Sequence, residues 1–174
     1  EEVNIKGANA TFGYIPVDFV TESGLKEYKL LPPQPVTNPG KTLLHNRYLL
    51  IGESKKGIHV FDNIDSESPK PLAFISVFGS TDFILKNNTL ITTNGDDLVS
   101  INISAIDRIA VNDSTVESVQ NNQNFFSEIT RLNQVFTYPN FPEQQGSYFM
   151  CLDSAIYVTK WQLDSVGTNK DCFR

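Results

Sequence analysis

The sequence predicts an all-β protein with two four-stranded, propeller-like repeat units. The main observation is a segment that occurs twice, with short apolar runs separated by turn residues. Residues 44–51 and 57–62 return as residues 85–92 and 97–102, at offsets of 41 (85 − 44) and 40 (97 − 57). A period near 40, in which strands alternate with turns, is typical of propeller blades and other stacked β-arrays. Because a closed propeller needs roughly four or more blades, these two units are not expected to close by themselves.

The composition favours one globular domain over residues 1–174. Hydrophobic residues make up 40% of the chain and charged residues 20%, a balance that excludes a disordered chain. The net charge of −6 and the scattered basic residues argue against a nucleic-acid partner, which requires clustered Lys and Arg. No run approaches the roughly 18 apolar residues that span a membrane.

Residues 1–40 are expected to form an irregular N-terminal arm followed by a proline-rich connector, and the loose alternation of residues 1–16 suggests either a short strand or an ordered arm. Apolar positions between Val17 and Tyr28 are compatible with a short helix that Ser23-Gly24 interrupts. Residues 31–40 contain four prolines, which remove backbone donors and favour extended or turn conformations.

Residues 41–80 form the first predicted repeat unit. Turns are expected at Asn46-Arg47 and at residues 54–57, on either side of an apolar run suited to a buried strand. The strands are expected to include residues 43–44, 48–51, 58–64 and 72–78.

Residues 81–120 repeat this plan. Asn94-Gly95 is a strong hairpin signal, because both residue types tolerate a positive φ. The strands are expected at residues 83–85, 90–93, 98–103 and either 109–111 or 116–119.

Residues 121–174 are expected to contain a loop, a short helix and a C-terminal strand segment. Phe125, Phe126, Ile129 and Leu132 have helical spacing. Strand character returns in residues 148–150 and 156–158.

Two cysteines, Cys151 and Cys172, lie 21 positions apart near the end of the chain. A disulfide between them is the favoured interpretation, and in the loop-entropy model it adds roughly 3 kcal/mol. Two unpaired thiols are the alternative. A zinc site is disfavoured because neither cysteine lies in a CxxC motif and the chain has only two histidines.

No catalytic, cofactor or metal-ligating residue is assigned. The oxygen-rich run Asp62-Asn63-Ile64-Asp65 with Glu67 suggests calcium, but turn hydrogen bonds are the better interpretation. His59 alternates with apolar neighbours and is expected to point away from the core face, while His45 is expected in a solvent-facing turn. The sequence has no nucleophile elbow and no phosphate-binding glycine loop.

A cluster of aromatic residues lies between positions 125 and 149, with little charge around it. One interpretation is core packing beneath a long loop. The functional alternative is an exposed platform for a glycan or a protein partner. The candidate ligand-binding aromatics are Phe125, Phe126, Tyr138, Phe141 and Tyr148.

The segment from Gly57 to Asn63, followed by Ser68-Pro69-Lys70-Pro71, resembles the LVIVD-repeat family. This family consists of β-propeller-type proteins, many of them surface lipoproteins of Bacteroidetes. Residues 78–82, which contain Gly79 and Asp82, resemble the glycine-to-aspartate step of the family, and residues 97–104 match the next core, although Asn102 replaces the usual Asp. The resemblance implies an extracytoplasmic, lipid-anchored protein at the cell surface or in the periplasm, with its signal and lipidated cysteine outside this chain. It implies no catalytic residues.

Together these observations favour a non-catalytic cell-envelope interaction module. A carbohydrate-binding surface lipoprotein is the alternative, because of the aromatic cluster. A hydrolase that uses carboxylates far apart in the chain is a more distant alternative. The expected partner is an envelope protein or a glycan, and pairing of open sheet edges would also allow a homo-oligomer.

Overall fold

A computed structural model describes residues 12–112, 116, 126, 128–141, 148–152 and 156–165. Strands hold 54% of these residues and helices 8%, which confirms the all-β prediction. The described residues between 25 and 138 form one compact unit, and those of 12–24 and 139–165 form another. Whether each unit folds alone is a separate property, so the single-domain assignment stays a prediction.

The elements run in the following chain order: β1 (Phe12–Thr21), α1 (Glu22–Leu25), β2 (Lys29–Leu31), β3 (Pro39–His45), β4 (Tyr48–Glu53), β5 (Gly57–Asp62), β6 (Lys70–Ser76), β7 (Phe83–Lys86), β8 (Thr89–Asn94), β9 (Asp97–Asn102), α2 (Ile106–Asn112), β10 (Ile129–Leu132) and β11 (Ile156–Ser165).

The first predicted repeat unit forms a sheet with the order β2-β6-β5-β4-β3, in which neighbouring strands are antiparallel. All four predicted strands are present as β3 to β6, so this part of the prediction is confirmed. The sheet gains a fifth strand, β2, because Leu30 pairs with Ile75 and both side chains are almost fully buried.

The second unit forms an antiparallel sheet with the order β10-β9-β8-β7. Its first three strands lie where the sequence predicts them, but the fourth was wrongly placed. Residues 106–112 form α2, because Ile106 and Ile109 lie one helical turn apart and both bury their side chains in the core. Of the alternative at 116–119, residues 117–119 lie outside the described residues.

The fourth strand of this sheet is β10, which also overturns the short helix predicted around residues 125–132. Along β10 the residues alternate between half-buried and exposed, a period of two that belongs to a strand. The helix-like spacing of Ile129 and Leu132 therefore did not indicate a helix.

The remaining sheet contains β1 and β11, paired antiparallel from Phe12 opposite Ser165 to Thr21 opposite Ile156. The C-terminal strand segment is confirmed, and of the two alternatives for residues 1–16 the short strand is the one found over residues 12–16. The strand continues through residues 17–21, where the sequence predicts a helix. Only residues 22–25 of the proposed helix are helical. Pro16 lies beside a shift in the pairing register, a position where a sheet tolerates proline.

The two repeat units keep equivalent turns. Asn46 has a φ of 54° and Asn87 a φ of 53°, each in the two-residue turn that joins the first two strands of its unit. The residues are 41 positions apart, the offset of the repeat. Asparagine tolerates this left-handed conformation better than most residues do, because its short side chain can bond locally.

The two sheets of the larger unit nevertheless pack through opposite faces. The offset of 41 makes Leu49 equivalent to Leu90 and Leu50 equivalent to Ile91. Leu50 and Leu90 are fully buried in one shared core, whereas Leu49 and Ile91 are half-buried. Residues at equivalent positions thus point to different sides, as in head-to-tail stacking of similar units.

The junction between the sheets depends on close backbone contact. The Lys55 amide donates to Ser80 O (2.8 Å), and the Gly79 amide donates to Lys55 O (2.9 Å). Gly79 has a φ of 68°, and a Cβ there would come within 2.7 Å of the Gly95 Cα. This position therefore requires glycine for both its conformation and its space.

We expect Gly79→Ala to lower the free energy of unfolding by about 2 kcal/mol or more, because backbone must move and the φ is strained. Urea unfolding of the whole chain measures this change. Gly40→Ala is the control, since a Cβ there meets only Gly52 O at 3.9 Å. Equal stability losses in the two variants would contradict the assignment.

Candidate functional site

A cleft of about 570 Å³ opens on the larger unit, beside an edge strand of each of its two sheets. Strand β2 is at the edge of the five-stranded sheet, and β10 is at the edge of the four-stranded sheet. The lining residues are Lys26, Glu27, Tyr28, Lys29, Phe126, Ile129 and Arg131. We call this the edge cleft.

A polar network centred on Arg131 connects the lining residues Tyr28 and Arg131 to the buried Asn94 and Asp97. The guanidinium donates hydrogen bonds to the Asp97 carboxylate, to the Tyr28 hydroxyl and to Asn94 Oδ1, the last at 2.6 Å. The Tyr28 hydroxyl in turn donates to Asn94 Oδ1 at 2.9 Å. The Arg131 side chain is only 15% exposed and that of Asp97 8%, so the ion pair is largely removed from water. These bonds hold the wall formed by residues 26–29 against the four-stranded sheet.

The net charge of the edge cleft has the opposite sign to that of the whole chain. Burial raises the pKa of Tyr28 and outweighs the opposing effect of Arg131, so the hydroxyl stays protonated and can donate. Lys26, Lys29 and Arg131 are cationic, and Glu27 and Asp97 oppose them, which leaves a net charge of +1. The whole chain carries −6. The cleft is therefore locally basic on an acidic protein.

Aromatic rings form the apolar part of the edge cleft. The Phe126 ring lies 6.0 Å from the Tyr28 ring and is tilted by 42°. The Arg131 guanidinium lies 5.9 Å from the centre of the Tyr28 ring. Contacts of this kind, between two rings and between a ring and a guanidinium group, hold the aromatic side chains of the cleft wall in defined orientations.

Of the four candidate aromatics that the structure describes, Phe126 lines this cleft and the other three do not. Tyr138 is buried, with its ring 5.8 Å from that of Phe78 and the Lys55 ammonium 5.5 Å from its centre. Phe125 lies outside the described residues. The core-packing interpretation thus describes Tyr138 well.

The last two candidates belong to the smaller unit. Phe141 stacks on Trp161 at 5.4 Å, and both contact the buried Phe149. Tyr148 is 42% exposed, and its carbonyl accepts a hydrogen bond from the Tyr14 amide (2.8 Å). Phe141 is therefore part of a packed ring cluster, whereas Tyr148 offers an exposed ring.

A second polar cluster surrounds the buried Glu53 of β4. Its carboxylate accepts hydrogen bonds from the Thr37 amide (2.9 Å) and hydroxyl, the Asn38 amide (2.7 Å) and His59 Nε2 (3.1 Å). Burial would raise the pKa of Glu53, but these hydrogen bonds outweigh it and lower the pKa to about 2. This carboxylate fastens the connector before β3 to the sheet.

The repeat places a buried polar residue at the equivalent position of the second unit. Asn94 lies 41 residues after Glu53, and its side-chain amide donates to Phe78 O at 2.8 Å. Each residue therefore ends the second strand of its unit by binding the chain that leads into that unit. Asn94 also bonds to the cleft residues Tyr28 and Arg131, whereas Glu53 contacts His59.

The predictions for the two histidines have different outcomes. His59 does point to the opposite face from Ile58 and Val60, but its side chain is only 3% exposed, with its ring 4.7 Å from that of Phe74. His45 is half-buried rather than solvent-facing, and its Nε2 is buried without a hydrogen-bond partner.

The oxygen-rich loop after β5 makes the predicted turn bonds. Asp62 Oδ1 accepts from the Ile64 amide and Asp65 Oδ1 from the Glu67 amide, both at 3.1 Å. The Arg47 guanidinium hydrogen-bonds to the Asp62 carboxylate and lowers its pKa. Within the described part of the chain, no group of three or more His, Cys, Asp or Glu side chains could hold a metal ion.

Cys151 is exposed. Cys172 lies outside the described residues, so the disulfide stays a prediction.

Sequence reasoning missed most of the edge cleft. Tyr28, Asn94, Asp97 and Arg131 are separated by up to 103 positions, and no motif joins them. The available signal was a lone arginine between apolar residues in the short segment Ile129–Leu132. A cation in such a setting requires a carboxylate partner once it is buried.

Comparison of the chain with protein-family models, with curated proteins and with solved structures gave no match. None of the helices in the described ranges is both long enough and apolar enough to cross a membrane.

We expect the stability of the protein to fall as the pH drops from about 4.5 to about 2. The folded-state pKa of Glu53, about 2, lies below its ordinary value of 4.5, so the ionised group stabilises the fold above that range. Glu53→Gln should flatten this part of the pH profile in urea unfolding. Glu67→Gln, at an exposed position, should leave it unchanged; a profile that Glu53→Gln does not alter would contradict the assignment.

We expect Asp97→Asn to destabilise the protein by about 2–4 kcal/mol, because Arg131 then keeps a largely buried charge without a counter-ion. Asp65→Asn is the matched control, since Asp65 is exposed and asparagine preserves its turn bond. Urea unfolding compares the two variants. A change below about 0.5 kcal/mol in Asp97→Asn would show that the ion pair does not support the cleft.

Proposed function

We propose that the protein is a non-catalytic interaction module of the cell envelope that binds its partner at the edge cleft. The observation that carries this proposal is the polar network behind the cleft, in which Arg131 bonds to Asp97, Tyr28 and Asn94 and Tyr28 also bonds to Asn94. Mutually bonded polar groups favour a rigid recognition surface over a reactive centre. The position of the cleft beside two edge strands also suits a macromolecular partner.

We also propose that the two sheets of the larger unit are propeller-like blades. The 41-residue offset, the equivalent asparagine turns and the packing through opposite faces support this arrangement. A further hydrogen bond agrees with it. The Phe136 amide donates to Asp96 O (2.8 Å), as the Gly79 amide donates to Lys55 O, and Asp96 lies 41 residues after Lys55. The chain after residue 136 would then begin a third unit.

The proposed envelope location rests on the resemblance of residues 57–71 to LVIVD-repeat surface lipoproteins. A lipid anchor outside this chain would hold the module at the membrane surface. The partner in this setting is another envelope protein.

Carbohydrate binding is a second candidate, favoured by the paired rings of Tyr28 and Phe126 beside polar side chains. Aromatic faces pack against sugar rings, and neighbouring polar groups bind hydroxyls. Titration of a glycan panel into the protein tests it: heat released by one glycan and lost in Phe126→Ala supports this candidate, and no heat for any member rejects it.

We expect a photo-cross-linking amino acid at position 126 to trap one envelope protein in the cells that make this chain. The same amino acid at Lys86, which is exposed on β7, is the matched control. Mass spectrometry of the cross-linked products measures the result. No product from position 126, or the same products from both positions, would contradict binding at the edge cleft.

A further inference from the structure

We propose that the occupant of the edge cleft is an acidic, extended peptide segment that adds as a new strand beside β10. The inference rests on the proposed function and names the chemical class of its partner. It depends on the open edge of β10, on the alternation of its side chains and on the local charge.

Strand β10 offers an open edge. It pairs with β9 on one side, from Ile129 opposite Ile101 to Leu132 opposite Leu98. On the other side it has no strand partner among the described residues. An edge strand presents backbone donors and acceptors at every second residue, and an extended peptide can satisfy them.

The opposite edge of the same sheet is less suitable. Beside β7, the Lys41 ammonium contacts the Asp82 carboxylate at 2.8 Å and lies 5.9 Å from the centre of the Phe83 ring. Side chains of β3 and of the β7 region thus already contact each other. This contrast favours β10 as the edge that receives a partner.

The side chains of β10 alternate between the two faces of the sheet, and this alternation determines where the side chains of the added strand would lie. Ile129 and Arg131 line the edge cleft, while Leu132 points to the other face and is 58% exposed. Every second side chain of the peptide would therefore face the wall of Tyr28 and Phe126. Apolar residues suit these positions, because the rings offer them apolar surface.

The charge of the cleft determines which residue types are expected at the remaining positions of the peptide. Lys26 and Lys29 are exposed at the cleft, and the exposed ion pair between Lys29 and Glu27 (3.1 Å) can rearrange at little cost. The net charge of +1 at the cleft attracts carboxylates, whereas the net charge of −6 on the whole chain disfavours their approach on average. Such a field directs an acidic ligand to this site.

The test begins with selection of a random octapeptide library against the whole chain, followed by synthesis of the consensus peptide. We expect Asp or Glu at alternate positions, with apolar residues between them. Methylation of alternate backbone amides should weaken binding at least tenfold, because strand addition needs those donors. The bound peptide should also protect amides of β10 from hydrogen exchange.

Charge reversal identifies the site. Lys26→Glu combined with Lys29→Glu should weaken binding of the consensus peptide at least tenfold. The control, Lys56→Glu combined with Lys86→Glu, makes the same change in net charge at exposed positions outside the cleft and should leave binding unchanged. Equal losses in both double variants would overturn the proposal.

The remaining outcomes separate this inference from the proposed function. A consensus without acidic residues, or full binding by the methylated peptide, overturns strand addition of an acidic segment. If the library gives no binder while position 126 still traps an envelope protein, strand addition fails and the interaction module stands. Binding of a glycan alone, with no cross-linked protein, overturns both.

Discussion

One apolar core stabilises both sheets of the larger unit, and it forms because equivalent residues of the two repeats face opposite ways. Leu50 of the first sheet and Leu90 of the second are fully buried in it, although the repeat does not align them. Each sheet must then carry apolar side chains on the face that its own position requires. The apolar runs in the sequence follow from this requirement.

Glu53 and Asn94 occupy equivalent positions of the repeat and share one structural role, but each also makes bonds that the other does not. Glu53 and Asn94 both bind the chain that leads into their unit. Glu53 uses its remaining bonding capacity on His59, which stays within the fold. Asn94 instead bonds to Tyr28 and Arg131 and so helps to shape the edge cleft. The candidate site is therefore built at a place that the repeat already uses for stability.

Local signals in the sequence were sufficient for the repeated hairpins. Apolar runs joined by turns at Asn46 and Asn87 specify strand, turn and register within a few residues. They were insufficient for β1 and β10, because the strand state of these segments depends on partners distant in the chain. The site was still harder to predict: its bonds join residues 34 to 103 positions apart, and neither Tyr28 nor Arg131 lies in a motif.

The connection between the last two strands of each unit differs greatly in length. Seven residues, 63–69, separate β5 from β6, whereas 26 residues, 103–128, separate β9 from β10. Both fourth strands nevertheless pair with the third in the same antiparallel order. Closing a longer loop costs only a little more entropy than closing a short one. The connection between the third and fourth strands of a unit is therefore a natural point of insertion. New sequence can enter there, whether by evolution or by engineering, while the order of the strands is kept.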